Sequence, residues 1–559
     1  MRPIKSAVLA AALFIAFVAN AGAQTLPDSL VRKINALFKQ WDKPGSPGCA
    51  IGIVRNDSLI FAKGYGMANL EYGILNTPKT LFHMASVSKQ FTAYAIVLLA
   101  KQGKLNLDDD IRKYLPWFPN LGITITIRNL LNHTSGVRDQ WQLLATAGTR
   151  LDDVITQEQI IKILGKQQAL NFKPGEKFMY SNSGFTLLAE IVKTVSGKSL
   201  RRFTDSVIFK PLGMMATHIH DDYTEIEPGR SYSYDRKDST HYSNAILSYS
   251  VAGATSLFSN VEDLAKWEMN FYQYKVGSKQ DIETLTTKGR LNDGTVNDYA
   301  MGISNDLYKG NKRYSHNGAD AGYRTNVIIF PDLKIGVIVL SNLGDINVSG
   351  KANELADLFV KDKTATAAKA AQKPKTGKAA AEDLPFLKKM PGDYITPEGT
   401  ILSLELKNDS LFYHVGADAY LLIKDSVRTY CMFYAPEVKF KFSADNSNAF
   451  AVTTPGDKLY FSRYAKTVIK DDQALQPYTG TYYSPELDCN YQIVLKDHQL
   501  YLTNAKYDDQ KLTFAGSNDL LNDNWWMNHL VVTRNSKNAV TGFEVNSGRV
   551  MHLKFVKTK

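Results

Sequence analysis

The chain predicts an α+β unit, an antiparallel sheet with a helical region, followed by two small antiparallel β-barrels. Three observations carry that prediction. Strand patterns open and close residues 24–361, helical patterns fill the interval between them, and residues 385–466 and 475–559 repeat one strand-rich pattern. With 559 residues and 44 % hydrophobic content the chain can bury several cores, and ordinary domain sizes suggest about three or four units.

Residues 1–23 have a basic start (Arg2, Lys5), an apolar stretch and the small-residue ending Ala21-Gly22-Ala23, which reads as an export signal. The expectation is a mature chain beginning near Gln24 and exported to the periplasm or beyond. No cysteine follows the apolar stretch, so no lipid anchor is expected, and no later run of about 18 apolar residues suggests a membrane span. The segment "GCAIGIVRNDSLIFAKGYG" reads as two strands joined at Arg55-Asn56-Asp57. Residues 88–102 are apolar nearly all round, the mark of a buried helix, and further helical patterns fall at 126–133, 157–165, 183–196 and 262–271. Strands return in "YRTNVIIFPDLKIGVIVLSN" with a turn at Pro331-Asp332, so one sheet should unite the two ends of this domain.

Residues 362–384 are rich in Ala, Lys and Thr and lack any aromatic or hydrophobic periodicity until Leu384, so they read as a tether. Much of the formal net charge of +11 lies there, in Lys361, Lys363, Lys369, Lys373, Lys375 and Lys378, which argues for a solvated basic linker and against a nucleic-acid face. Beyond it, Leu402, Leu404 and Leu406 alternate with Ser403, Glu405 and Lys407, as in a half-buried strand. "PGDYITPEGTILSLELKNDSLFYHV" is echoed by "YTGTYYSPELDCNYQIVLKDHQLYLTN", with Gly392, Tyr394 and Pro397 matching Gly480, Tyr482 and Pro485. Each copy suffices for a small up-and-down barrel. The three cysteines, Cys49, Cys431 and Cys489, are far apart and odd in number; no disulfide framework is expected, and Cys431–Cys489 is the pairing left open.

Ser86 stands three residues before Lys89 at the head of the 88–102 helix. A serine hydroxyl is a poor nucleophile until a base takes its proton, and this spacing puts a lysine amine on the same helical face. Free N–H groups at a helix N-terminus also favour developing negative charge. Taken alone, the same pattern describes a helix cap followed by a solvated lysine.

Its company decides between these. "LFHMASVSKQFTA", "ITIRNLLNHTSGV", "FKPGEKFMYSNSGFTLLAEIV", "AGATSLFSNVEDLAKW" and "YSHNGADAGYRTNVIIFPD", in this order, resemble the class C β-lactamase and penicillin-binding-protein-like serine hydrolases over roughly residues 30–361. The resemblance implies a β-lactamase-like catalytic domain, with Ser86 as nucleophile and Lys89 moving protons. Two Y-x-N candidates compete for its second element: Tyr180-Ser181-Asn182 and Tyr242-Ser243-Asn244. Tyr180 follows "FKPGEKF" and opens an apolar helix, as in the family, so it is expected to be the general base or acid, made acidic by a Lys89 cation, with Asn182 orienting substrate and lysine. Tyr242 is expected to lie on the surface.

The family's K-T-G is spelled by Lys375-Thr376-Gly377, but inside the tether; the matching position is His316-Asn317-Gly318, which resembles the H-x-G variant of D-aminopeptidases and related esterases. The backbone amides of Ala319 and Ser86 would form the oxyanion hole. A lysine replaced by a mostly neutral histidine disfavours substrates held by a carboxylate. Two lipocalin-like barrels behind such a domain resemble the D-stereospecific aminopeptidases, in which a barrel loop enters the cleft.

The expectation is therefore an exported hydrolase of small amides or peptides, D-amino-acid-containing ones among them. A carboxylesterase is the second reading and a β-lactamase or D-Ala-D-Ala carboxypeptidase the third. An inactive cell-wall-peptide-binding homologue is the reading of a different class. No cofactor, metal, nucleic acid or membrane span is expected; the partner is a small-molecule or peptide substrate, with the oligomeric state open. His218 and His220 with Asp221 and Asp222 are read as structural, with no further ligand cluster, and His133 as a helix-end residue.

Overall fold

The computed structural model describes residues 26–363 and 378–559, apart from 416–417, 433–437, 444–447, 455–456 and 517. The expected leader and the Lys375-Thr376-Gly377 stretch lie outside the described residues. Among those residues no helix is long and apolar enough to cross a membrane.

The chain opens with helix α1 (Asp28–Phe38) and the hairpin β1 (Cys49–Arg55) and β2 (Ser58–Tyr65), turning at Asn56-Asp57. The helical region includes α2 (Ser88–Lys101), α3 (Gln140–Thr146), α4 (Asn182–Ser196) and α5 (Val261–Gln273). Strands β3 (Ser304–Tyr308), β4 (Asn311–Asp320), β5 (Tyr323–Phe330) and β6 (Ile335–Ser341) and helix α6 (Val348–Ala356) close the domain. The sheet runs β3-β4-β5-β6-β1-β2, and the antiparallel β1–β6 ladder joins the two ends of the domain as expected.

Alternation along the central strands explains the layering. Ile51, Ile53, Val337 and Val339 face α1 and α6, packing on Ile34, Phe38, Ala352 and Leu355. Ala50, Val54, Ile338 and Leu340 share the opposite core with α5 and the helical region. Strands covered on both faces read as near-continuous apolar runs, which is why β1 and β6 were conspicuous in the sequence. α2 buries twelve consecutive residues, Ser88 through Leu99, so even its polar positions lie inside the protein.

The repeats fold alike. The first closes into an eight-stranded barrel from Gly392–Ile395 to Asp457–Tyr464. The second is a curled sheet of ten strands among the described residues, left open between its edge strands Tyr507–Lys511 and Lys466–Thr467. Each uses its matched tyrosine identically: the Tyr394 hydroxyl donates to Met390 O at 2.8 Å and the Tyr482 hydroxyl to Tyr478 O at 2.6 Å. Gly392 and Gly480 hold φ of +148° and +137°, which side-chain-bearing residues rarely adopt.

The two barrels relate differently to the rest of the protein. The first barrel keeps its own core, whereas the core of the second is continuous with that of the helical region. At the join Arg138, fully buried, donates from Nη1 to both Glu486 carboxylate oxygens at 2.7 and 2.6 Å, and from Nε and Nη2 to Met551 O at 3.0 and 2.8 Å. Breaking a buried ion pair strands the surviving charge, so Arg138→Ala should destabilise the docked unit by about 3–5 kcal/mol. Denaturant unfolding of full-length protein checks this, and Arg138→Ala with Glu486→Gln should recover part of the loss. Among the described residues no disulfide forms, which removes the Cys431–Cys489 pairing.

Candidate active site

Ser86 sits in a 3-10 turn, Ala85–Val87, one step ahead of α2 rather than within it. Ala85 holds φ +49°, a left-handed conformation costly for a side-chain-bearing residue, so the surroundings must impose it. They do: Ala85 N–H donates to His83 Nδ1 at 3.2 Å, Ser88 Oγ donates to Ala85 O at 2.6 Å, and Thr325 Oγ1 donates to Met84 O at 2.9 Å. Gly318 on β4 packs against the same turn; a β-carbon there would lie 2.4 Å from Met84 O and 2.9 Å from Ala85 Cβ, so this position of H-x-G admits no side chain.

Lys89, one helical turn on and fully buried, places Nζ 3.1 Å from Ser86 Oγ. The amine is also held by Asn182 Oδ1 at 2.9 Å and Ala254 O at 2.7 Å. Asn182 is fixed in turn by Asp139, whose Oδ2 accepts from Asn182 N and Nδ2 at 2.8 Å each, while Oδ1 accepts from Trp141 N at 3.1 Å and caps α3. Burial pushes the Lys89 ammonium down to about 7, with Asp139 and Asp320 opposing and Arg549 adding to the shift.

Tyr180 lies across the lysine, its ring centroid 4.9 Å from Nζ. Among the described residues its hydroxyl makes no well-formed hydrogen bond to a protein group, although Ser86 is its near neighbour. Burial pushes the phenol well above its ordinary range, and the neighbouring Ser86 hydroxyl and the Arg549 charge only partly offset this. Burial therefore acts on both groups against their charged forms, opposite in direction to the acidification of Tyr180 that a Lys89 cation would provide. The sequence could not weigh this desolvation.

His133 supports this arrangement from behind. Its ring lies 4.1 Å from that of Tyr180, and its Nδ1 accepts from Ser181 N at 3.1 Å. His316 is buried on β4; its Nδ1 donates to Asn317 O at 2.6 Å and its Nε2 accepts from the Tyr299 hydroxyl at 2.9 Å. Burial, reinforced by Lys89, holds it down to about 3, so the imidazole is neutral and the site has no cation at this position. Asp320, two residues beyond Gly318, accepts from Thr255 Oγ1 at 2.7 Å and from the Tyr249 hydroxyl, and burial raises it to about 7.

Ser86, Tyr180, Asn182, His316 and Ala319 line one open cleft of about 1050 Å³, with Lys89 and Gly318 beneath its floor. Tyr242 is not in its lining; "DRKDST" belongs to a hairpin, and Tyr242 is half-buried in its strand Tyr242–Asn244, near Ser46 and Arg236, rather than free on the surface. The cleft's outer wall comes from the second barrel, where the hairpin β7 (Val540–Ser547) and β8 (Val550–Lys557) presents Gly548 and Arg549 to the site. His218 and His220 are elsewhere; Glu227 Oε1 meets His218 Nε2 at 2.7 Å and His220 Nδ1 at 3.2 Å, and Glu225 completes a group the sequence reading did not assemble.

Asp139, Ala254, Tyr299, Asp320 and Arg549 were missed from sequence. Asp320 alone had a usable signal, a carboxylate two residues past the H-x-G motif.

The family described as Beta-lactamase matches residues 29–361. Penicillin-binding protein 4* of Bacillus subtilis is 27 % identical over 419 residues, covering 72 % of this chain and 91 % of that protein. The D-aminopeptidase of Gluconobacter oxydans is 26 % identical over 301 residues, covering 54 % of this chain and 56 % of the enzyme. Among solved structures, the octameric penicillin-binding protein homologue from Pyrococcus abyssi shares the fold at TM-score 0.53 and 22 % identity, covering 87 % of this chain and 99 % of its own. The matched region holds the sheet, the helical region and every cleft residue named above except Gly548 and Arg549, and the chain belongs to the Beta-lactamase family of serine hydrolases.

Proposed function

We propose that the protein is an exported hydrolase of small amide or peptide substrates, D-aminoacyl ones in particular, acting through an acyl-enzyme on Ser86. The observation that carries the chemistry is the buried Lys89 amine 3.1 Å from Ser86 Oγ, with a conjugate acid at about 7. Neutral Lys89 takes the serine proton as Oγ attacks the carbonyl carbon, and the Ser86 and Ala319 amides hold the oxyanion. Tyr180, protonated, gives its proton to the departing nitrogen as the C–N bond breaks and regains one from the Lys89 ammonium. Water then attacks the ester with Lys89 again as base, releasing the acid and restoring Ser86.

Support for the substrate class is chemical. His316 offers no charge, while Asp235 and Asp320 line the same cleft and suit a substrate with a protonated amine. A D-aminopeptidase among the relatives accords with this. A panel of D- and L-aminoacyl anilides, short esters and a chromogenic cephalosporin tests the reading. Expected is turnover of the D-aminoacyl anilide at least about tenfold above its L counterpart in kcat/KM, the discrimination that roughly 1.4 kcal/mol provides. Turnover of esters alone would favour the carboxylesterase reading, and failure of Ser86 to label with a fluorophosphonate would favour an inactive peptide-binding homologue.

A further inference from the structure

We propose that Arg549, delivered by the hairpin of the second barrel, anchors a free carboxylate on the leaving-group side of the substrate. The inference rests on the Ser86 hydrolase reading above and adds what that reading lacks, a cation in a cleft whose H-x-G motif supplies none.

Four observations place the anchor. The Arg549 guanidinium carbon is 4.9 Å from the Tyr180 ring centroid, beside the phenol that protonates the leaving atom. The side chain is 47 % exposed and lines the cleft. Among the described residues its guanidinium makes no hydrogen bond to a protein acceptor; its one ion pair, to buried Asp139, is long at 3.8 Å, and that carboxylate already accepts three N–H donors. The other cleft arginine is differently placed, since Arg324 Nη1 is spent on Ala321 O and Tyr323 O at 2.8 and 2.7 Å. A planar fork whose donors make no hydrogen bond, over an aromatic ring, suits bidentate capture of a carboxylate in competition with the long Asp139 pair.

The backbone around Arg549 is fixed independently of its side chain. Arg549 N–H donates to Gln142 Oε1 at 2.8 Å, and Arg549 O accepts from Asn171 Nδ2 at 2.8 Å and from Asp139 N–H at 3.3 Å. Shortening or replacing the side chain therefore leaves the hairpin's attachments in place. The missing lysine of the third motif is, on this account, compensated from a separate domain, and the preferred substrate is a short peptide whose departing residue carries its C-terminal carboxylate.

The test compares a D-aminoacyl dipeptide with its C-terminal amide, using full-length protein throughout. Wild type should favour the free acid in kcat/KM by roughly ten- to hundredfold, the span of one hydrogen-bonded charge, with most of the difference in KM. Arg549→Gln should bring the acid-to-amide ratio near one, and Arg549→Lys should retain part of it. Reading the ratio cancels the effect of Arg549 on Lys89, which both substrates share. The same pair is titrated calorimetrically into Ser86→Ala protein with and without Arg549→Gln, so the anchor is judged without turnover. Equal handling of acid and amide by wild type, or a ratio unchanged by Arg549→Gln, overturns the anchor even if Ser86 labels normally. Absence of Ser86 labelling with a retained, Arg549-dependent preference for the acid would instead overturn the hydrolase reading and leave the anchor standing.

Discussion

Ser86→Ala should reduce turnover of every accepted substrate by a factor on the order of 10^6 and abolish covalent labelling, while leaving the fold intact. The substitution deletes one oxygen from a half-buried side chain that accepts from Lys89 and lies beside Tyr180, so the core packing does not depend on it. The strained Ala85 turn is held by His83, Ser88 and Thr325, and these contacts survive. Steady-state kinetics alongside a thermal unfolding curve separates the two effects: activity lost with an unchanged melting transition is the expected pair.

The second large effect belongs to Lys89. Lys89→Ala should cost about 10^2–10^4 in kcat/KM, the usual contribution of a positioned base, and combining it with Tyr180→Phe should cost far less than the product of the two, because they pass one proton between them. The wild-type pH profile carries the sign. Only the neutral amine accepts the serine proton, so kcat/KM should rise as pH increases through about 7 and fall on the acid side as Lys89 becomes an ammonium. The neighbours set where that limb lies. Asp320→Asn removes a charge that raises the lysine and should move the limb to lower pH; Arg549→Gln removes one that lowers it and should move the limb to higher pH. A limb unmoved by either change would mean that Lys89 is not the group being titrated.

What the sequence disclosed follows from how local its signals are. The β1–β2 hairpin, the buried helix after Ser86 and the β5–β6 pair announce themselves through runs of apolar residues, and the repeat through Gly392 and Tyr394 against Gly480 and Tyr482. The residues brought together in the cleft were legible because each sits in a short motif: Ser86 and Lys89 in one helical turn, Tyr180 and Asn182 at the head of α4, His316 and Gly318 on one strand. Their protonation was not legible. Lys89 and Tyr180 looked like a cation beside an acidified phenol, whereas burial, a property of the assembled core, disfavours the charged form of both.

Arg549 was hidden for a different reason. It occupies an ordinary Gly-Arg turn between two alternating strands, and only the docking of the second barrel through Arg138 and Glu486 carries it more than 300 residues along the chain to Tyr180. Asp139 is concealed in the same way, since its role depends on meeting Asn182 across the fold. Contacts of this kind follow from topology and leave no spacing pattern to read.

The central claim is that Ser86 is the acylated nucleophile and Lys89 its base. Its most direct measurement is peptide mass spectrometry of full-length protein treated with a fluorophosphonate at pH 8 and, separately, at pH 5.5. The account predicts one adduct, on the peptide containing Ser86, formed much faster at the higher pH and nearly absent in Lys89→Ala. An adduct on another residue, or labelling of Ser86 at equal rates at both pH values and in Lys89→Ala, would contradict it.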